Sequence, residues 1–212
     1  MQHLRLEGFE IGRYKTRSLM NKLGLVVKQR RKSPYRSSKP KTEAQNELNQ
    51  RFNPESVNQA WAGDVTYLRT VEGWCYLAVV MDLHSRRVIG WRIQAVQNTN
   101  LVLEALRMAI NLRKPTEPLL FHSDQGAQYL AKAFQNYLAE QSITPSISQK
   151  GACWDNAVVE RFFGSLKNEW LLNRKHLRRE TMKQDVEAYI KYYNHKRLHS
   201  YLNQQTPIQF ES

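Results

Sequence analysis

Apolar positions along residues 61–148 change spacing several times, and each change marks an element. WAGDVTYLRT (61–70), WCYLAVVMDL (74–83) and RRVIGWRIQ (86–94) are dense in β-branched and aromatic residues. Turn signals at Glu72-Gly73 and His84-Ser85 separate them, so they predict a three-stranded antiparallel meander. TNLVLEALRMAINLRK (99–114) then takes up helical spacing. PLLFHSD (118–124) reads as a short apolar strand with a polar end, GAQYLAKAFQNYLAEQ (126–141) as one amphipathic helix, and TPSISQ (144–149) as a fifth strand. A helix over 151–173 buries Val159, Phe162, Phe163, Leu166 and Trp170, and RETMKQDVEAYIKYYNHKRLHSYL (179–202) forms a last helix. Three hairpin-linked strands followed by alternating helices and strands make a mixed sheet with helices on its faces, an α/β layered domain.

The beginning of the chain differs. FEIGRYKTRSLMNKLGL (9–25) predicts a helix ending near Gly24, with Leu19, Met20 and Leu23 on one side. The next stretch, to about residue 58, is polar, basic and Pro- and Ser-bearing, with almost nothing to bury. A short helix before such a linker forms no core of its own. The organisation expected is a partial N-terminal helical region (1–28), a basic linker (29–57), a core domain (58–173) and a C-terminal helix and tail (174–212) that pack on the core or extend it.

Charge narrows the partner. The chain of 212 residues carries a net +13, and residues 1–50 alone hold 12 basic against 4 acidic side chains. Clustered Lys and Arg are rewarded by counterion release from nucleic acid, so Arg30, Arg31 and Lys32 are expected to touch DNA. The longest apolar run, WCYLAVVM, is too short to span a bilayer, and MQHLRLEGFE lacks the pattern of a secretory signal. Cys75 and Cys153 make no disulfide framework. The expected location is the cytoplasm, at the nucleoid, with no membrane partner.

Three acids stand out. Asp64 sits within a strand, where a carboxylate needs water, a partner or a cation; an edge strand facing water is the plain alternative. Asp124 ends a strand before a helix, a position that suits catalysis or simple capping. Glu160 lies at the margin of its helix's apolar stripe beside Asn156 and Lys167, since seven residues return to within about 20°; Glu169 falls on the opposite side. Singly, Glu160 reads as a surface residue. Together, the three can hold a pair of hard divalent cations with Asp64 between them, the arrangement suited to phosphoryl transfer.

The blocks WAGDVTYL, FHSDQGAQY and KGACWDNAVVERFFGSLKNE, with 35 residues between Asp124 and Glu160, resemble the D,D-35-E motif of retroviral-integrase-type enzymes. Within that class the chain resembles the second-frame transposases of the IS-three family of bacterial insertion sequences. DLHSRRVIGW and YYNHKRLHSYLNQQTP look like the same family over about residues 58–208, with Arg-Leu-His standing where Arg-Pro-His is usual. The N-terminal region is short for a complete helix-turn-helix. The element order is that of a ribonuclease-H-like fold, on pattern alone one candidate among several. The resemblance implies a mixed five-stranded sheet flanked by helices, with Asp64, Asp124 and Glu160 binding two Mg²⁺ ions, for which Mn²⁺ substitutes. It also implies hydrolysis of a phosphodiester at the element's end, then in-line attack of the freed 3′-hydroxyl on a second one, without a covalent protein intermediate. Lys167 would contact phosphate near the scissile bond, and Asn156 is expected among the DNA contacts. The implied partners are the terminal inverted repeats, target DNA and further copies of the chain. A ribonuclease-H-like nuclease and a truncated DNA-binding regulator or inhibitor of transposition are the alternatives.

Other groups read as structural. Asp82 is expected to hold a hairpin turn. His195 and His199 are spaced like half a zinc site, without the cysteine pair to complete it. His122 points to the side of Asp124, for packing or for orienting a phosphate. Tyr189, Tyr192 and Tyr193 have core spacing, and Asp155 or Asn156 caps the Glu160 helix.

Overall fold

The computed structural model describes residues 1–25, 47–48, 53–116, 118–148, 157–171 and 178–212. The chain divides into two compact units, Met1–Tyr35 and Arg36–Ser212. In the first, helices α1 (Gln2–Leu6) and α2 (Arg13–Lys22) bury no residue, and Phe9, Leu19 and Leu23 are exposed. The single helix expected over 9–25 is shorter, because Gly8 at φ +89 and the extended Gly12 break the chain before Arg13. It ends near Gly24 as expected, at φ +65. Helix α1 was not anticipated: its five residues carry no periodicity to read.

The larger unit holds a five-stranded sheet in the order β3-β2-β1-β4-β5. Strands β1 (Ala60–Thr70), β2 (Gly73–Asp82) and β3 (Val88–Gln94) form the antiparallel meander. Strands β4 (Leu119–Ser123) and β5 (Ile143–Ile147) run parallel beside β1. Asp82 makes the β2–β3 turn, as expected. Its fully buried carboxylate accepts from the backbone N–H of His84 at 2.9 Å, of Ser85 at 3.2 Å and of Asn58 at 2.8 Å.

Helix α3 (Thr99–Arg113) is capped by Asn98, whose side chain accepts from Leu101 N at 3.1 Å. The helix expected over 126–141 is two, α4 (Ala127–Leu130) and α5 (Lys132–Glu140), with extended backbone at Ala131. The break lets the buried rings of Phe121, Tyr129 and Phe134 meet at 5.3–6.3 Å, and Gln135 Nε2 satisfies the freed Tyr129 carbonyl at 2.8 Å. Helix α6 (Ala157–Ser165) widens into a π-helical turn over Leu166–Trp170. Helix α7 (Arg179–His195) stops short of the expected residue 202. After it the chain turns to form the bridge His199↔Gln205, burying His199 and Leu202, and ends in α8 (Pro207–Glu211), closed by a Thr206–Gln209 capping box.

The sheet separates two cores. On one face Ala60, Ala62, Leu68 and Leu77 pack with Val159, Phe162 and Leu166 of α6 and its extension and with Val186, Tyr189 and Tyr193 of α7. On the other, Trp61, Ala78, Ile89 and Phe121 pack with Leu101, Ala105, Tyr129 and Phe134 of α3, α4 and α5. Tyr189 and Tyr193 are therefore core residues, as their spacing predicts. Among the described residues no helix is long and apolar enough to cross a membrane.

Candidate active site

Strand β1 lies at the centre of the sheet, so Asp64 is not the water-facing edge residue of the plainer reading. Pairing of β1 with β4 covers Ala60–Ala62 against Leu120–His122. Carrying that register two residues further brings Asp64 level with Asp124, which follows the last residue of β4. Alternation places Asp64 with Ala60, Ala62 and Leu68, on the face packed by α6 and α7. Gly63 points the other way and is pressed against the opposite core; a Cβ there would stand 2.5 Å from Phe121 Cζ.

Both aspartates are anchored by backbone. Asp64 Oδ1 accepts from Val65 N at 2.7 Å, and Asp124 Oδ1 accepts from Gly126 N at 3.0 Å, just before α4. Behind them His122 is fully buried between Ser146 Oγ, 2.9 Å from Nδ1, and Ser148 Oγ, 3.1 Å from Nε2. It is a packed strand histidine. Gln125 donates to Ser148 O at 3.1 Å, tying the turn after Asp124 to the end of β5.

Glu160 stands in the first turn of α6, while Val159, Phe162, Phe163 and Leu166 are buried as the stripe predicts. It borders a cleft of about 790 Å³ that also takes in Arg86, Arg161, Ser165, Arg197 and Tyr201. Glu169 turns away and pairs with Arg197 at 2.7 Å. The π-helical turn shifts the phase beyond Leu166, and Lys167 lands on β1: its Nζ donates to Thr66 Oγ1 at 2.6 Å and lies 4.9 Å from the Tyr67 ring centre. Thr66 shares the face of Asp64, a relation that its spacing of two in a strand could have signalled.

Electrostatics tie these groups together. Burial, then the Asp124 charge, pushes the Asp64 carboxyl up to about 8; Glu160 adds to this, while Val65 N–H and Lys167 oppose it. Burial raises Asp124, and burial followed by Asp124 raises Glu160. Tyr129 is held neutral by burial and by the two aspartates. The three acids thus feel one another, yet among the described residues no three His, Cys, Asp or Glu side chains close on a single ion. Of the other sequence candidates, Asn156, Arg30, Arg31, Lys32, Cys153 and Asp155 lie outside the described residues. Buried His199 stacks edge-on against Tyr193 at 4.6 Å, whereas His195 is exposed at the end of α7. Sequence reasoning missed Thr66, Tyr129 and the Arg197–Glu169 pair.

The integrase core domain family matches residues 54–153, and a second integrase core domain family matches 141–207. Transposase InsF for insertion sequence IS3A of Escherichia coli (strain K12) is 42% identical over 214 residues, covering 99% of this chain and 74% of its own. The insertion element IS600 uncharacterized 31 kDa protein of Shigella sonnei is 35% identical, covering 96% of this chain and 76% of its own. Among solved structures, the HTLV-2 integrase catalytic core domain in complex with magnesium (dimeric form) aligns with TM-score 0.58 and 23% identity over 74% of this chain and 97% of that one. The simian T-cell lymphotropic virus intasome in complex with PP2A regulatory subunit B56 gamma aligns with TM-score 0.63 and 20% identity over 91% and 66%. The sheet and its helices therefore have the ribonuclease-H-like fold of integrase catalytic cores.

Proposed function

The chain belongs to the IS3 family of insertion-sequence transposases, and from that premise we propose that Asp64, Asp124 and Glu160 are the carboxylates with which it cuts and joins DNA. The observation that carries this reading is the β1–β4 register that brings Asp64 level with Asp124, with the Asp124 charge felt at both Asp64 and Glu160. Mutually repelling carboxylates that offer only oxygen fit hard divalent cations. Two Mg²⁺ ions, or Mn²⁺ in their place, are the proposed cofactors. When bound, they supply the charge that activates an attacking oxygen and stabilises a leaving one.

The chain's own residues do the positioning. Asp64 and Asp124, brought level by the sheet, and Glu160 on the helix above would hold the ions. Backbone N–H groups of Val65 and Gly126 fix the two aspartates before any ligand arrives. Lys167, steadied by Thr66, offers its ammonium to a phosphate beside the scissile bond. Asn156 is proposed as a further DNA contact, and Arg30, Arg31 and Lys32 as non-specific phosphate contacts of the basic linker. The reaction is hydrolysis at the element's end followed by attack of the new 3′-hydroxyl on target DNA. The terminal inverted repeats and target DNA are the partners, bound by several copies of the chain in the cytoplasm, at the nucleoid. Residues 1–28 serve DNA binding, 29–57 link, 58–173 catalyse, and 174–212 buttress the core.

Glu160→Gln, Asp64→Asn and Asp124→Asn should each lower strand transfer of a pre-nicked element end by at least about 10³-fold while DNA affinity holds. Strand transfer at the wild-type rate in Glu160→Gln would refute the assignment.

A further inference from the structure

Among the described residues, the outer halves of β1, β2 and β3 are covered on one face only. Toward α6 and α7, Leu68, Cys75 and Leu77 are 3%, 1% and 0% exposed. On the opposite face α3 presses on the sheet at Gly90, where Ala105 O leaves no room for a Cβ. Beyond that contact Tyr67 is 61% and Trp74 44% exposed. The pairings Tyr67↔Tyr76, Arg69↔Trp74 and Ala78↔Arg92 put Tyr67, Arg69, Trp74, Tyr76 and Arg92 on this one bare face.

The surface is ordered. The Tyr67 and Trp74 rings meet edge-on at 5.2 Å, and the Arg69 guanidinium lies 5.7 Å from the Trp74 ring centre. Among the described residues it carries Arg69, Arg92 and, at the rim by Tyr67, Lys167. Glu72 at the hairpin tip is turned to α7, where it accepts from Arg179 N at 3.0 Å. Aromatic rings interleaved with cations suit a ligand that has flat π faces joined by negative charge.

We propose that this face is a stacking platform for unpaired bases of a DNA strand, held beside the catalytic centre; the placement rests on the function proposed above. Continuity carries the assignment. Lys167 touches both the Tyr67 ring and the Thr66 hydroxyl, and Thr66 is two residues from Asp64. Asp64 lies on the other face of β1, whose pairing with β4 ends at Ala62, so a strand with its bases on Tyr67 and Trp74 would pass Lys167 round that edge to reach it. Opening a duplex end costs stacking between bases, and the two rings replace part of it.

The test uses the full chain in EDTA, so that nothing is cleaved, and measures anisotropy of labelled oligothymidylate and of a blunt duplex. Trp74→Ala and Tyr67→Ala should each weaken single-strand binding about tenfold, with Trp74→Phe recovering most of the loss and duplex affinity unchanged. Unaltered single-strand affinity in the double alanine variant overturns the platform. So does a smaller species on sedimentation of Trp74→Ala, which would make the face a contact between copies. Cleavage by Asp64→Asn is assayed alongside with Mg²⁺. If it survives, the catalytic assignment and the placement of the strand beside it both fall; if it is lost while the alanine variants bind normally, the platform alone is rejected.

Discussion

Gly63 has no side chain because Phe121 occupies the place where one would go. Gly63→Ala puts a methyl 2.5 Å from Phe121 Cζ, a ring that is 1% exposed and cannot swing aside. The expected cost is about 1–3 kcal/mol, read as a lower urea midpoint, together with reduced strand transfer because Asp64 is the next residue. His199 supplies a pH dependence. Burial, then the Arg197 charge, pulls its imidazole down to about 4. Between pH 4 and the ordinary histidine value near 6.5, the unfolded chain therefore binds a proton that the folded chain refuses, so stability falls as pH falls through that window. The slope is at most about 1.4 kcal/mol per pH unit for one proton. Thermal melts at pH 7 and pH 5 should show a smaller drop for His199→Gln than for wild type; equal drops would refute the assignment to His199. Such residues were illegible in the sequence: Asp64 was conspicuous as an acid inside a strand, but nothing local marks His199 as buried.

At the scale of elements, strand β3 lies at the edge of the sheet, and α7 closes it. Asn194 Oδ1 accepts from Val88 N at 3.0 Å while its Nδ2 donates to Val88 O at 2.8 Å, in the manner of a neighbouring strand. Asn194→Leu leaves both buried backbone groups unmet and should cost about 2–4 kcal/mol in denaturant unfolding; a change near zero would show that water replaces the amide. All five strands and the long helices were legible because their periodicity repeats over many residues. The break at Ala131 and the π-helical turn after Ser165 were not, since each answers to partners distant in sequence: the Phe121–Tyr129–Phe134 cluster and, for Lys167, Thr66. The phase error of a single helical turn decided where that lysine points.

For the whole molecule, the fold class followed from element order, and the three acids could be connected only because the sheet brings Asp64 and Asp124 level. The sequence carried their identities through family blocks; the raised Asp64 carboxyl is a product of packing. One consequence is that cation binding should release protons below about pH 8, so Mg²⁺ affinity should rise with pH toward that value. Saturating Mg²⁺ should also raise the melting temperature, by about 2.7 kcal/mol of stabilisation at a hundredfold excess over Kd. Asp64→Asn should lose both effects. The measurement that bears most directly on the account is anomalous diffraction from crystals of the full chain grown with Mn²⁺. We expect a strong peak within bonding distance of both the Asp64 and Asp124 carboxylates, absent from Asp64→Asn crystals. Mn²⁺ bound away from these side chains, or retained there without Asp64, would contradict it.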